Sequence, residues 1–139
     1  MLIWMGILFF IFSHTHAQIL SIQIAKNQTI GSLVTIEGIV TTLQNPDDIR
    51  FIQDASGGIG LANLTNEFNQ NVRKGDLVQL RGTVGLKSGQ IVISEIAEFN
   101  IVDFNQTLPV ALPLSSLDIQ TSGQRVQLSC IINPQPESS

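Results

Sequence analysis

The sequence is poor in the residues that most often do chemistry. In 139 residues there are one cysteine, two histidines, one tryptophan and no tyrosine, and only 13% of residues are charged. Both histidines, His14 and His16, directly follow an apolar run from Leu2 to Phe12. That run is shorter than the roughly 20 residues that cross a bilayer. Thr15 and Ala17 are small residues placed as a signal peptidase requires, so residues 1–17 read as a signal peptide and Gln18 as the new N-terminus. No Lys or Arg precedes the run, which leaves the free amino group as its only positive charge; an uncleaved anchor is the alternative reading. Cleavage leaves 122 residues with no His, Met or Trp, enough for one small domain, still carrying the formal charge of −4.

These shortages exclude whole classes of function. Without histidine and with one cysteine, the mature chain cannot assemble the usual zinc ligand sets, a Ser-His-Asp triad or a Cys-His pair. Cys130 cannot close an intramolecular disulfide, although export would permit one. No Asp or Glu pair stands in a recognisable acid/base context, so no catalytic residue, metal or cofactor is expected. The acidic balance opposes binding to phosphate backbones, which draws its affinity from Lys and Arg. Only Phe51, Phe68, Phe99 and Phe104 remain as aromatics for stacking on bases.

What is present is β-pattern. The centre of the chain is Ile49 to Asn63, where two short apolar runs flank Asp54-Ala55-Ser56-Gly57-Gly58, a turn composition that predicts a hairpin. Before it, Leu33 to Thr42 alternates, with Val34, Ile36, Gly38 and Val40 on one face. After it, Leu77 to Leu86 repeats the design with Gly82, and Lys87-Ser88-Gly89 leads tightly into Gln90 to Val102. The apolar phase of that last run shifts between Ile93 and Ile96, which predicts a bulge. Ile19 to Ile24 reads as a short lead-in with a helical turn as an option. Thr65 to Val72 could form one helical turn with Phe68 and Val72 on one side. Five strands with a short helix or loop between the third and fourth match the Greek-key barrel of the OB fold, an all-β class. In that topology the first and fourth strands are neighbours, and Glu37 and Arg81, each preceding its glycine, are candidates for a cross-strand ion pair.

On the second strand of the hairpin, Gly58 and Gly60 leave one face nearly bare. If Ile52 points inward, Phe51 and Gln53 lie outward beside that surface; if Ile49, Phe51 and Gln53 point inward, Phe51 is a plain core residue. The contact surface expected of an OB fold is this outer face together with the loops Leu43 to Asp48 and Leu86 to Gln90. Its candidate ligand residues are Arg50, Phe51, Gln53, Arg81 and Lys87. Asp54 and Ser56 are better explained as turn caps. Asn27-Gln28-Thr29, Asn63-Leu64-Thr65 and Asn105-Gln106-Thr107 fit the glycosylation sequon.

Three motifs in order, Gly31 to Thr41, Arg50 to Ile59 and Lys74 to Gly82, resemble the secreted OB-fold modules of Bacteroidetes-type bacteria. They are similar to the YhcR-type OB domains that precede extracellular nuclease, phosphoesterase or lamin-tail domains. The resemblance runs from Ile22 to about Val102 and implies a fold more sharply than a function. Leu117 to Ile132 repeats the pattern of Ile24 to Val40, with Val126 standing 92 residues after Val34 and Cys130 where Gly38 stands. Residues 18–104 therefore read as one module, 105–113 as a linker and 114–139 as the start of a second, truncated module. The strand Arg125 to Ile132 has no hairpin partner after it, so it must dock on the first barrel, pair with another chain or stay mobile. The leading functional expectation is a secreted, non-catalytic binding or spacer module at the N-terminal end of a larger extracellular protein. Its partner would be a protein or polysaccharide ligand, alongside the downstream domains of the longer chain. The second is a nucleic-acid-binding accessory domain of an extracellular nuclease or phosphoesterase, which the charge and the scarce aromatics disfavour.

Overall fold

The structure, a computed structural model, describes residues 17–43, 49–113 and 122–127. The expected signal peptide, apart from Ala17, lies outside the described residues, as do most of the first flanking loop and most of the expected second module, including Cys130. The chain runs β1 (Ile19–Leu20), α1 (Ile22–Lys26), β2 (Leu33–Val40), β3 (Arg50–Gln53), β4 (Gly58–Leu61), α2 (Asn66–Asn71), β5 (Leu77–Lys87), β6 (Gln90–Asp103), β7 (Leu112–Pro113) and β8 (Val126–Gln127).

Strands β2 to β6 close a five-stranded barrel. Their order is β2-β3-β4-β6-β5, and β5 returns to β2. The β2–β5 pairing is antiparallel from Leu33↔Thr83 to Ile39↔Leu77, and the parallel contact Gly60↔Val92 and Leu61↔Ile93 shuts the other side. This is the Greek-key arrangement of an OB fold, with β1 added in parallel to β2. The alternation in β2 resolves as its pattern requires: Val34, Ile36 and Val40 are buried, and Gly38 shares their face. Ile22, Ile52, Ile59, Leu61, Val78, Leu80, Val84 and Ile93 complete the interior. Helix α2, capped by Thr65 accepting from the Phe68 N–H at 3.1 Å, carries Phe68 into the core, with Val72 following at its C-cap.

The irregularity expected in the last strand is present and extends further. Register shifts against β5 leave Ser94, Ala97 and Val102 without an opposite residue, so β6 bends enough to pair with β4 at one end and β5 along its length. Glycine permits the tightest part of this curve. A Cβ on Gly82 would stand 2.4 Å from Ile93 Cγ2 and 2.5 Å from the Glu95 carbonyl oxygen.

The expected Glu37–Arg81 ion pair does not form. Glu37 lies opposite Gln79 and Arg81 opposite Thr35, an offset of two residues. Arg81 instead meets its β6 partner Glu98 at 3.8 Å.

Candidate functional site

The outer face of the β3–β4 hairpin begins with its turn. Asp54 Oδ1 accepts from the Ser56 N–H at 2.7 Å, the Ser56 hydroxyl at 2.6 Å and the Gly57 N–H at 3.0 Å. Its Oδ2 accepts from the Ile22 N–H at 2.8 Å, and Ser56 Oγ accepts from the Gln23 N–H at 3.0 Å. Asp54 and Ser56 therefore cap the turn, as its composition suggested, and both also accept from the first turn of α1, which the composition did not indicate.

Ile52 points inward, so Phe51 and Gln53 lie on the outer side, yet the bare surface beside them is not open. Phe51 is half-buried opposite Gly60. The space a Cβ would take on Gly60 is already bounded by Ile49 Cγ2 at 2.7 Å, Val92 Cγ1 at 3.2 Å and Phe51 Cε1 at 3.5 Å. At Gly58 the covering group is the C-terminal segment: a Cβ there would meet the Gly123 carbonyl oxygen at 2.2 Å and the Gln124 nitrogen at 2.8 Å. Gln53, 5% exposed, accepts from the Arg125 N–H through Oε1 at 3.1 Å. The Ser122 carbonyl accepts from Lys26 Nζ at 3.0 Å. Arg125 also donates through Nη1 to the Pro109 carbonyl, and β7 pairs in parallel with β8 at Leu112↔Val126. The stretch read as a linker is thus held to the barrel, where the Gln106 N–H donates to the Gly75 carbonyl at 2.7 Å. Of the three courses open to the strand Arg125 to Ile132, its described part takes the first and docks on the barrel.

Arg50 cannot serve as an exposed ligand residue. It is 0% exposed, with its guanidinium 5.5 Å from the Phe68 ring centroid. Nη1 donates to the Val72 carbonyl at 2.9 Å and Nη2 to the Thr42 carbonyl at 3.4 Å. It therefore fastens the C-terminal end of α2 to β3. Burial lowers its pKa from the ordinary value, the Asp76 carboxylate opposes that shift, and the Arg73 charge adds to it. Phe68 packs edge-on to Phe99 with centroids 5.0 Å apart, so the arginine tops a small aromatic stack.

Of the five candidates, then, Phe51 and Gln53 share the hairpin face and Arg50 lies beneath the surface. Arg81 is exposed on another wall, between Thr35 and Glu98, and Lys87 is exposed at the β5–β6 tip opposite Gln90. The structure does not gather these cations into one groove. It forms instead a groove of about 390 Å³ lined by Glu37, Gly38, Ile39, Gln53, Asp54, Ala55, Leu77 and the Pro109-Val110 pair. Val110 is 86% exposed there. Sequence reasoning missed this site because one side of it, Pro109 and Val110, comes from a segment that reads as a linker. The two prolines near an apolar valine were the one local signal. Among the described residues, no three His, Cys, Asp or Glu side chains group so as to hold a metal ion.

No protein-family model matches the sequence, and no curated protein sequence does. Solved structures do resemble it. The hypothetical protein ygiW from E. coli superposes with a TM-score of 0.52 at 22% identity, over 61% of this chain and 90% of that one. A putative aspartyl-tRNA synthetase from Leishmania major Friedlin superposes with a TM-score of 0.53 at 14% identity, over 79% of this chain. The match spans 26% of the synthetase, about a quarter of its length. At identities this low the likenesses establish a shared fold, and with the observed strand order they place this chain among the OB-type barrels.

Proposed function

We propose that the chain is a secreted, non-catalytic binding or spacer module, the N-terminal part of a larger extracellular protein similar to the Bacteroidetes-type OB modules. The apolar leader ending at Ala17 supports export, and the three strand motifs support the kinship. The observation that carries a binding role is the groove of about 390 Å³ beside the hairpin, within the roughly 300–1,000 Å³ range of small-ligand sites. Its apolar walls, Ile39, Leu77 and Val110, lie beside the Glu37 carboxylate, in a chain of formal charge −4. That chemistry favours a neutral or basic partner, a polysaccharide or a protein segment, over an anionic strand. The nucleic-acid reading is weakened further because Arg50 is withdrawn from the surface and Arg81 is engaged by Glu98.

The test is a titration of the ¹⁵N-labelled full chain with neutral polysaccharides, basic peptides and single-stranded oligothymidylate. Saturable movement of the Ile39, Leu77 and Val110 amides with one of the first two, abolished by Val110→Asp, is the expected result. Tight oligothymidylate binding that is lost on Arg81→Ala or Lys87→Ala would replace this reading with the nucleic-acid one.

A further inference from the structure

The seat of the C-terminal segment on the hairpin has the properties of a peptide-recognition site. Two anchors read the segment's backbone: Lys26 Nζ donates to the Ser122 carbonyl, and Gln53 Oε1 accepts from the Arg125 N–H. Between them the backbone must pass directly over Gly58. That position selects glycine twice. Gly123 has φ +87°, and a Cβ on it would stand 2.7 Å from the Gly58 carbonyl carbon and 2.8 Å from its oxygen. The matching restriction acts from below, where a Cβ on Gly58 would fall 2.2 Å from the Gly123 oxygen. A glycine turn over a glycine strand, clamped at both ends through main-chain groups, is a specific arrangement and not a loose contact.

Each of these contacts joins residues 122–127 to groups at or before residue 113: Lys26, Gln53, Gly58, Pro109 and Leu112. Residues 114–121 alone connect the two parts, eight residues that reach at most about 29 Å when extended. Nothing in the contacts depends on both parts belonging to one molecule. Each copy carries one site and one matching segment, the condition under which exchange between protomers yields a closed two-fold pair. We propose that the Lys26–Gln53–Gly58 seat is a binding site for the Ser122–Gln127 segment of a second copy of this chain, so that two molecules associate by exchanging these segments. The short connection restricts the exchange to copies placed side by side, and β7 of one copy then pairs with β8 of the other.

The proposal is tested by complementation between two full-length variants. Gly123→Ala spoils the segment and leaves the seat empty; Gly58→Ala blocks the seat and leaves the segment free. The ¹⁵N-labelled Gly123→Ala chain is titrated with the unlabelled Gly58→Ala chain up to the millimolar range, where the second copy matches the effective concentration of a short tether. The expected result is saturable movement of the Gln53 side-chain amide and the Gly58 and Ile59 backbone amides toward their wild-type positions. An unlabelled chain carrying both substitutions should leave them unmoved. If Gly58→Ala does not fold, the hexapeptide Ser-Gly-Gln-Arg-Val-Gln takes its place as titrant and its Gly-to-Ala form serves as the control. Absence of movement with the Gly58→Ala chain, or with the unsubstituted hexapeptide where that chain does not fold, overturns the proposal. Movement by the hexapeptide but not by a folded Gly58→Ala chain also overturns it, since the seat would then reject the segment when a second copy carries it.

Discussion

Truncating Arg50 to alanine separates a fold role from a ligand role. The change removes the charge-assisted bond to the Val72 carbonyl at 2.9 Å, worth about 1.5–3 kcal/mol. It also removes the cation–π contact with Phe68 at 5.5 Å, worth about 0.5–2 kcal/mol. The 3.4 Å contact to Thr42 is long, and we assign it nothing. Against these losses stands relief from desolvating the guanidinium, the same effect that lowers its pKa. The Val72 carbonyl, however, stays behind without its donor and a void opens beneath α2. The net is a loss of about 3 kcal/mol, within the roughly 2–5 kcal/mol span of large-to-small substitutions at buried positions. In a domain this small each kcal/mol moves Tm by roughly 4–8 °C, so the midpoint should fall by more than about 10 °C. Circular dichroism melts of Arg50→Ala and Arg50→Lys measure it. Lysine keeps the charge but lacks the planar guanidinium that reaches the Val72 carbonyl while resting over the Phe68 ring, so it should recover only part of the loss. A Tm for Arg50→Ala within about 2 °C of wild type, the mark of an exposed position, would refute the argument and return Arg50 to the ligand candidates.

Gly82→Ala should destabilise the barrel by about 1–3 kcal/mol, because its Cβ would press on Ile93 and on the Glu95 carbonyl of the bulged strand; urea titration gives the value, and an unchanged midpoint would contradict the packing described. Asp54→Ala should cost about 1–3 kcal/mol through the donors it leaves unpaired at the turn and at α1, with Asp54→Asn recovering part of it in the same assay. A double-mutant cycle on Arg81 and Glu98, whose side chains are 44% and 69% exposed, should give a coupling below about 1 kcal/mol that fades with added salt.

The barrel was legible because its strands obey a period of two and its turns carry glycine, so local rules and global fold agree from Leu33 to Val102. The phase break between Ile93 and Ile96 pointed to the bulge for the same reason. The register of β2 against β5 was not legible: two strands of similar design suggested that equivalent charges meet, whereas barrel closure sets Gly82 opposite Val34 and Gly38 opposite Val78. Arg50 defeats local reading differently. An arginine next to a loop looks exposed, and only Val72 at the C-cap of α2, 22 residues later, supplies the carbonyl that lets it be buried. The hairpin face read correctly as side-chain-poor, but what occupies it comes from Gly123, 65 residues after Gly58. No window of sequence contains both.

The strand that closes the barrel also sets its folding time. β5 and β6 need only the Ser88-Gly89 turn, whose positive φ angles of 50° and 78° suit a two-residue hairpin, and such a hairpin forms in roughly 1–10 μs. β2 must then find β5 across sequence separations of 38 to 50 residues, so the chain belongs with the non-local β topologies that fold in roughly milliseconds to seconds. During that interval the edge of Leu33–Val40 that faces β5 is unpaired, which ties the yield on refolding to protein concentration. Substitutions in the Ser88-Gly89 turn should change how fast the hairpin is ready, while those in β2 decide how long the chain stays exposed to its neighbours.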